Sequence, residues 1–479
     1  MVDSNGSIHS FTFNPLPETG MTSLRGSNTL IAEAGAEDNH EQLFVDGVVL
    51  TRQYKTGNDH DDLATAISKL RRAVEFTPSD HPDMALRLAW LGDLLWSRSE
   101  RTGDLQDIAD AISAEQRALE LTPEGHPDMA ERLANLGTSI HSRFEHTGDL
   151  QDLAQAISMK QRALELTPEG HPNVAERLAN LGASIHSRFE HTGDLQDIVE
   201  ALSAQQRALV LIPEGHPDMA LQLVNLGNSL WSRFERTGDL QDIAEAIAAQ
   251  HRALELTPEG HPDMALRLGH LGGSLWSRFE RTGDLQDLAE AIAAQQSALE
   301  LTPEGHPDMT SRLGGLGNSL LSRFNRTGDL QDLGEASSAY QRALELTPEG
   351  HPDMALRLGN LGLSLSSRFQ RTGDLQVLAE AISMQQRALD LTPKGHPDMS
   401  LQLANLGASL RSRFKHTGDL QDLSEAISAE QQALELTPDG HPEMAKRLAN
   451  LGTSLWSRFK RTGDKGGLVF KKETWGWKI

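Results

Sequence analysis

"HPDMAERLANLGTSIHSRFEHTGDLQDLAQAISMKQRALELTPEG", residues 126–170, is one period of a pattern that runs down most of the chain. Its opening His-Pro pair occurs nine times, at His81, His126, His171, His216, His261, His306, His351, His396 and His441, always 45 residues apart. Within the period, Met129, Leu133, Leu136, Ile140 and Phe144 recur at spacings of three and four. That is one apolar stripe on an α-helix of about 20 residues. Pro127 suits a first helical turn, where a missing N–H costs nothing, and Asp128 suits the positive end of the helix dipole. Thr147-Gly148 ends the helix, with Gly148 as a left-handed cap. Asp149 then reads as the N-cap of a second helix with Asp152 in its first turn. That helix carries Leu153, Ala156, Ile157, Leu164 and Leu166 until Pro168 stops it. Each period is thus a hairpin of a longer and a shorter helix.

The register holds from His81 to Asp464 and extends backward. Leu43, Gly47, Leu50 and Tyr54 stand two periods before Leu133, Gly137, Ile140 and Phe144, so a degenerate first unit begins near Ala36. Three segments are expected: 1–35, polar and disordered; 36–464, the helical array; and 465–479, an irregular tail. After Asp464 the sequence KGGLVFKKETWGWKI replaces a second helix. The reading is a longer array cut short, with self-association expected through the uncapped C-terminal end.

Composition narrows the function. Net charge is −24 over 479 residues, and one period (126–170) holds seven acidic and four basic side chains, so the charge is spread through the repeats. Such a surface repels phosphate backbones and anionic membranes, which argues against nucleic acid and membrane partners. There is no cysteine, which removes disulfides, thiolate metal sites and a cysteine nucleophile. No signal peptide or membrane-spanning run is visible, so the expected compartment is cytoplasmic.

Catalytic and metal signals are missing too. Equivalent histidines of stacked hairpins stand ~10 Å or more apart, too far to share a metal at ~2.1 Å. His141/His146 and His186/His191 lack the glutamate of a His-Glu-x-x-His site. The Gly-x-Ser of "LGTS" lies inside a helix and lacks the second glycine of a nucleophile elbow. No phosphate-binding glycine loop is present. The chain reads as a non-enzyme with no cofactor and no metal. Gly137, Gly182 and Gly227 serve close helix approach instead.

The Leu133-x2-Leu136-Gly137-x2-Ile140 run, followed by Ala156, Ala163 and Pro168, resembles the tetratricopeptide repeat. The family's spacing lengthens here by seven residues between Gly137 and Ala156, and by four between Pro168 and the next Leu-Gly, which accounts for the step of 45. The family's large aromatic in the second helix is polar in most units (Glu115, Lys160, Gln205, Gln250), with Tyr340 the aromatic exception. The wording RLANLGTSLWSRFKRTGD, from Arg447, is similar to repeats of fungal tetratricopeptide arrays that often precede a caspase-like CHAT peptidase domain. No such domain is present here. The implied fold is all-α: a right-handed superhelical solenoid of antiparallel helix hairpins with a 45-residue repeat. The implied function is a scaffold for protein–protein interaction that binds a peptide or helix in a concave groove lined by the first-type helices. The alternative is a sensor or regulatory arm truncated from a CHAT peptidase-containing protein.

Opposite the core stripe, Glu131, Asn135, Thr138 and Ser142 fall between about 140° and 200° of Leu133 on a helical wheel. Asn135 has counterparts at Asn180, Asn225, Asn360, Asn405 and Asn450, while the Glu131 and Thr138 columns vary. Fixed amides beside variable neighbours suit a groove, since an amide can both donate to and accept from a ligand backbone. The resemblance implies such an asparagine ladder on the inner surface. Ser142, Ser187 and Ser232 share this candidate peptide-binding face. The His141 column, which includes Trp231 and Trp276, lies at its margin, where an indole can pack between repeats or anchor a ligand. The invariant Arg143 and near-invariant Arg132 columns are expected to pair with Glu165-type acids of a neighbouring hairpin. Gly314, Gly315, Gly317, Gly334 and Ser337 predict a soft joint or local bend between Met309 and Tyr340.

Overall fold

The computed structural model describes residues 39–57, 60–438 and 443–463. Their regular structure is α-helix throughout, and no helix among the described residues is long and apolar enough to cross a membrane. The expected segments 1–35 and 465–479 lie outside the described residues. The chain divides into two compact units, one ending at Glu259 and the other beginning at Gly260. In the first, α1 (His40–Gly57) pairs with α2 (His60–Phe76), α3 (Met84–Thr102) with α4 (Leu105–Glu120), and α5 (Met129–Thr147) with α6 (Leu150–Glu165). Then α7 (Val174–Thr192) pairs with α8 (Leu195–Leu211), and α9 (Met219–Thr237) with α10 (Leu240–Glu255). The second unit pairs α11 (Met264–Thr282) with α12 (Leu285–Glu300), and α13 (Met309–Thr327) with α14 (Leu330–Leu346). It continues with α15 (Met354–Thr372) on α16 (Leu375–Leu391) and α17 (Met399–Thr417) on α18 (Leu420–Glu435), and closes with α19 (Met444–Thr462).

Two short punctuation marks fix each hairpin. The recurrent histidine is one of them. In eight periods the histidine Nδ1 accepts the backbone N–H two residues on, as from Asp128 to His126 at 3.2 Å. It satisfies a backbone donor at the mouth of the first-type helix. Pro127 lies in the turn before that helix and not in its first turn, because α5 begins at Met129. The second mark is Thr-Gly-Asp. Gly148 takes the left-handed conformation, φ 71°, and its N–H bonds to the Phe144 carbonyl. Asp149 Oδ1 then accepts the Gln151 N–H at 2.9 Å as the N-cap of α6. The link between helices is only two residues long, so they must run antiparallel.

Packing follows the stripe. Leu133, Leu136, Ile140 and Phe144 are buried; Leu136 and Ile140 cluster with Ala156 of their own hairpin and with Ile108 and Ile112 of the preceding one, and Phe144 clusters with Leu153 and Ile157 and with Leu181 and Ile185 of the next. Each fully buried side chain of this kind contributes about 1.5–3 kcal/mol. Leu166, expected in the second stripe, is 40% exposed because α6 ends one residue earlier. A Cβ on Gly137 would lie 3.1 Å from the Ala156 carbonyl oxygen and 3.0 Å from Lys160 Cγ, so glycine permits the close approach of α5 and α6.

The arginines follow a different rule from the one expected. Arg143 forks onto Asp152 of its own hairpin, with Nε–Oδ2 and Nη2–Oδ1 both 2.6 Å. Arg98, Arg188, Arg233, Arg278, Arg323 and Arg413 repeat this pairing with Asp107, Asp197, Asp242, Asp287, Asp332 and Asp422. Val377 takes the aspartate's place beside Arg368. Arg132 reaches back to Thr122, the threonine that closes the preceding second-type helix. Glu165 pairs locally with Arg162 at 3.1 Å. The first-turn acid is thus the better partner for Arg143: it is almost buried, and its two oxygens meet the guanidinium fork.

Candidate functional site

Within each unit, successive first-type helices touch (α3 with α5, α5 with α7, α13 with α15), whereas second-type helices do not touch one another among the described residues. The first-type helices are therefore drawn together on one side of each unit. The candidate face lies on them, and the two units present it differently.

In the first unit the face is nearly closed. Asn135 and Asn225 are 6% and 8% exposed, and Glu131 and Thr138 are buried as well. Asn180 is half-buried, and its carbonyl oxygen accepts from Ser184 at 3.1 Å. In the second unit the face opens. Asn360 and Asn405 are half-buried, and beside them Leu356, Leu363 and Leu401 are 43%, 38% and 53% exposed. Leu356 and Leu401 occupy the Glu131 column, and Leu363 the Thr138 column. Asn450 is also half-buried, but its Oδ1 accepts from Arg411 Nη2 at 3.2 Å.

The serine and indole candidates are engaged inside the array. Ser142 accepts from Trp96 Nε1 at 2.9 Å and donates to Glu100 at 2.6 Å, both on the preceding hairpin. Ser187 meets His141 Nε2 at 3.3 Å, and Ser232 meets His186 Nε2 at 3.0 Å. Trp276 Nε1 donates to Ser322 at 3.2 Å in the second unit. Trp231 is half-buried in the same column. Where the preceding hairpin carries a ring at this column, the serine meets it; Ser367, Ser412 and Ser457 instead donate to carbonyls of their own helices. Ser142, Ser187 and Ser232 are buried.

The sequence reading missed one arrangement. Glu131, Asn135, Thr138, Lys160, Glu176 and Asn180, with Arg177, line a small hollow between α5 and α7. Lys160 stands where four sibling units carry glutamine, and that exchange was the available signal. Its Nζ donates to Ser184 Oγ at 2.8 Å, and burial pushes its pKa down to about 7. Burial pushes Glu131 and Glu176 up to about 7, with Arg177 acting to lower both. Elsewhere, Glu41, His81 and Asp83 bring potential ligand atoms within 4.8 Å of one another. Arg87 already pairs with that glutamate, and the Asp83 N–H occupies His81 Nδ1, so the trio carries no metal argument.

This geometry defines a scaffold of stacked helical hairpins. Residues 220–263 and 354–398 match the tetratricopeptide repeat family model, so the array carries tetratricopeptide repeats in those two stretches. That class of scaffold fits protein–protein interaction in general. No curated protein matches the sequence. Among solved structures, the chain is similar to the human IFIT1 dimer with m7Gppp-AAAA at 14% identity and TM-score 0.47, covering 88% of this chain and 83% of that one. It is similar to BtubC from P. vanneervenii at 19% identity and TM-score 0.36, covering 53% and 90%. It is also similar to the C-terminal part of a TPR repeat-containing protein from Cytophaga hutchinsonii, at 14% identity and TM-score 0.40, covering 66% and 99%. Likenesses at this level carry no functional argument.

Proposed function

We propose that the protein is a non-enzymatic interaction scaffold that holds an extended peptide or a helix of a protein partner along the inner faces of its first-type helices. The observation that carries this reading is the exposure of Leu356, Leu363 and Leu401 beside the half-buried amides Asn360 and Asn405. Large apolar side chains left in water next to groups that pair with a peptide backbone are what a recognition face requires. The distributed negative charge argues against nucleic acid and anionic membranes as partners.

The test is affinity capture from source cells with the full chain and its Leu363→Glu/Leu401→Glu variant. Leu420→Glu, on a second-type helix and 48% exposed, serves as the control. The double variant should lose partners that the control retains. Equal recovery of every partner by all three proteins would remove this face from the function.

A further inference from the structure

The Glu131 column of the first unit reads Leu86, Glu131, Glu176, Leu221 along α3, α5, α7 and α9. Two acids are thus framed by a leucine on each side. Glu131 is 8% exposed and lines the hollow between α5 and α7, and its Oε1 has no hydrogen-bond partner among the described residues. A carboxyl oxygen buried in this state costs free energy unless something pairs with it.

Arg177 acts on both acids through its charge, but neither it nor Lys160 donates a hydrogen bond to the unsatisfied Glu131 Oε1. Arg177 Nη1 donates to Thr167 Oγ1, and Lys160 Nζ to Ser184 Oγ and the Asn180 carbonyl. Further negative charge surrounds the pair, from Asp93, Asp128 and Glu176 around Glu131 and from Asp218 near Glu176. The space admits about one water-sized group, which matches a primary ammonium and is too small for a guanidinium.

We infer that this hollow is a subsite for the ε-ammonium of a lysine in the bound peptide, held between Glu131 and Glu176. The inference rests on the proposed peptide-binding face and names the chemistry of its occupant. A lysine within the peptide, and not a chain N-terminus, is the source because leucines continue the face on both sides of the acids. First-type helices spaced ~10 Å apart take about three extended residues each, so the apolar residues facing Leu86 and Leu221 fall about four or five positions from the lysine. Asn135 and Asn180 beside the hollow accept further N–H donors from the ammonium or its backbone. Cation binding favours the ionised carboxyls and the neutral form of Lys160, so binding releases protons.

The test uses a phage-displayed library of random linear undecapeptides, panned on the full chain and on its Glu131→Gln/Glu176→Gln variant. Melting curves confirm that both are folded. A second variant, Glu131→Leu/Glu176→Leu, carries the residue of the flanking units. Wild type should enrich one lysine with apolar residues four or five positions away, and a synthetic selected peptide should lose at least tenfold in affinity on the glutamine variant. The leucine variant should exchange the lysine preference for an apolar one. Peptides enriched without lysine, or bound by all three proteins within twofold, overturn the subsite and leave the peptide-binding face standing. A library that yields no enriched peptide overturns both.

Discussion

Trp96 and Ser142 stand in successive hairpins, and the indole N–H of one donates to the hydroxyl of the other at 2.9 Å. Ser142 passes the bond on to Glu100 at 2.6 Å, so one small side chain ties α5 to two residues of α3. The rung recurs with histidine as the ring in His186–Ser232 and with tryptophan in Trp276–Ser322, the latter again completed by a glutamate, Glu280, at 2.9 Å. An array in which each hairpin meets only its neighbours depends on such interface terms. Ser142→Ala should destabilise the protein by about 1–2 kcal/mol, because a buried indole N–H loses its acceptor. Trp96→Phe should cost a similar amount, and the two costs should not add. Chemical denaturation of the single and double variants reads this coupling; strict additivity would show the rung to be incidental.

The glycines of the first-type helices separate into two kinds, and the same substitution should act on them with opposite sign. A methyl group on Gly137 meets the Ala156 carbonyl oxygen at 3.1 Å, a backbone atom that moves only if α5 and α6 part. Gly137→Ala should therefore cost about 1–3 kcal/mol through overpacking. A methyl on Gly273 meets nothing within 4 Å, and that residue is helical. Gly273→Ala should stabilise by about 0.5–1 kcal/mol by restricting the unfolded chain. Melting temperatures of the two variants decide the matter.

Buried ionisable groups at sibling positions give the array a readable pH dependence. Burial pushes Glu115 up to about 8 from an ordinary value of 4.5. Between those values the folded protein keeps a proton that the unfolded chain has released, so stability falls as pH rises and levels off above about 8. Lys160 runs the other way. Its pKa is down to about 7 from 10.5, so its cost is fully present below 7 and fades as pH climbs toward 10.5. Glu115→Gln should match wild type at pH 4 and exceed it at pH 9 by on the order of 1–3 kcal/mol. Lys160→Gln should exceed wild type at pH 6 and approach it near pH 11. Difference curves of denaturation free energy against pH measure both, and parallel curves would refute the assignment.

Much of the scaffold was legible because its determinants are local. The stripe Leu133–Leu136–Ile140–Phe144, the left-handed Gly148 and the Asp149 cap act within a few residues of themselves, and the structure places each as read. The face was less legible because exposure depends on the neighbouring hairpin. Asn135 and Asn360 occupy the same register position, yet one is buried and the other half-buried. Ser142 looked like a groove residue on the helical wheel, which carries no information about the indole arriving from α3. Arg143 could have been assigned correctly: Asp152 occupies the same place in nearly every period, and the one exchange, Val377, marks that column as the partner.

The stretch from Met309 to Tyr340 tests whether helix propensity or packing governs this array. Its glycines predict a soft joint, but α13 and α14 run unbroken. Tyr340 supplies a reason. Its ring lies against Gly317, where an added Cβ would come within 2.6 Å of it, and its hydroxyl donates to Asn318 at 2.7 Å. Burial raises the phenol's pKa, which keeps the hydroxyl a donor. Ser337, which replaces a core isoleucine, bonds to Ser364 on the next hairpin at 2.5 Å. The aromatic thus fills the volume left by glycine, and the hairpin should show hydrogen-exchange protection equal to that of its neighbours. Tyr340→Gln restores the residue found in four sibling units but leaves the glycine backbone without the ring. It should cost about 1–3 kcal/mol as a cavity and make α13 and α14 the first helices of their unit to exchange. If that variant exchanges like wild type, the ring is not what holds the glycine-rich helix; if wild type is already less protected there than in α15 and α16, propensity outweighs packing at this position.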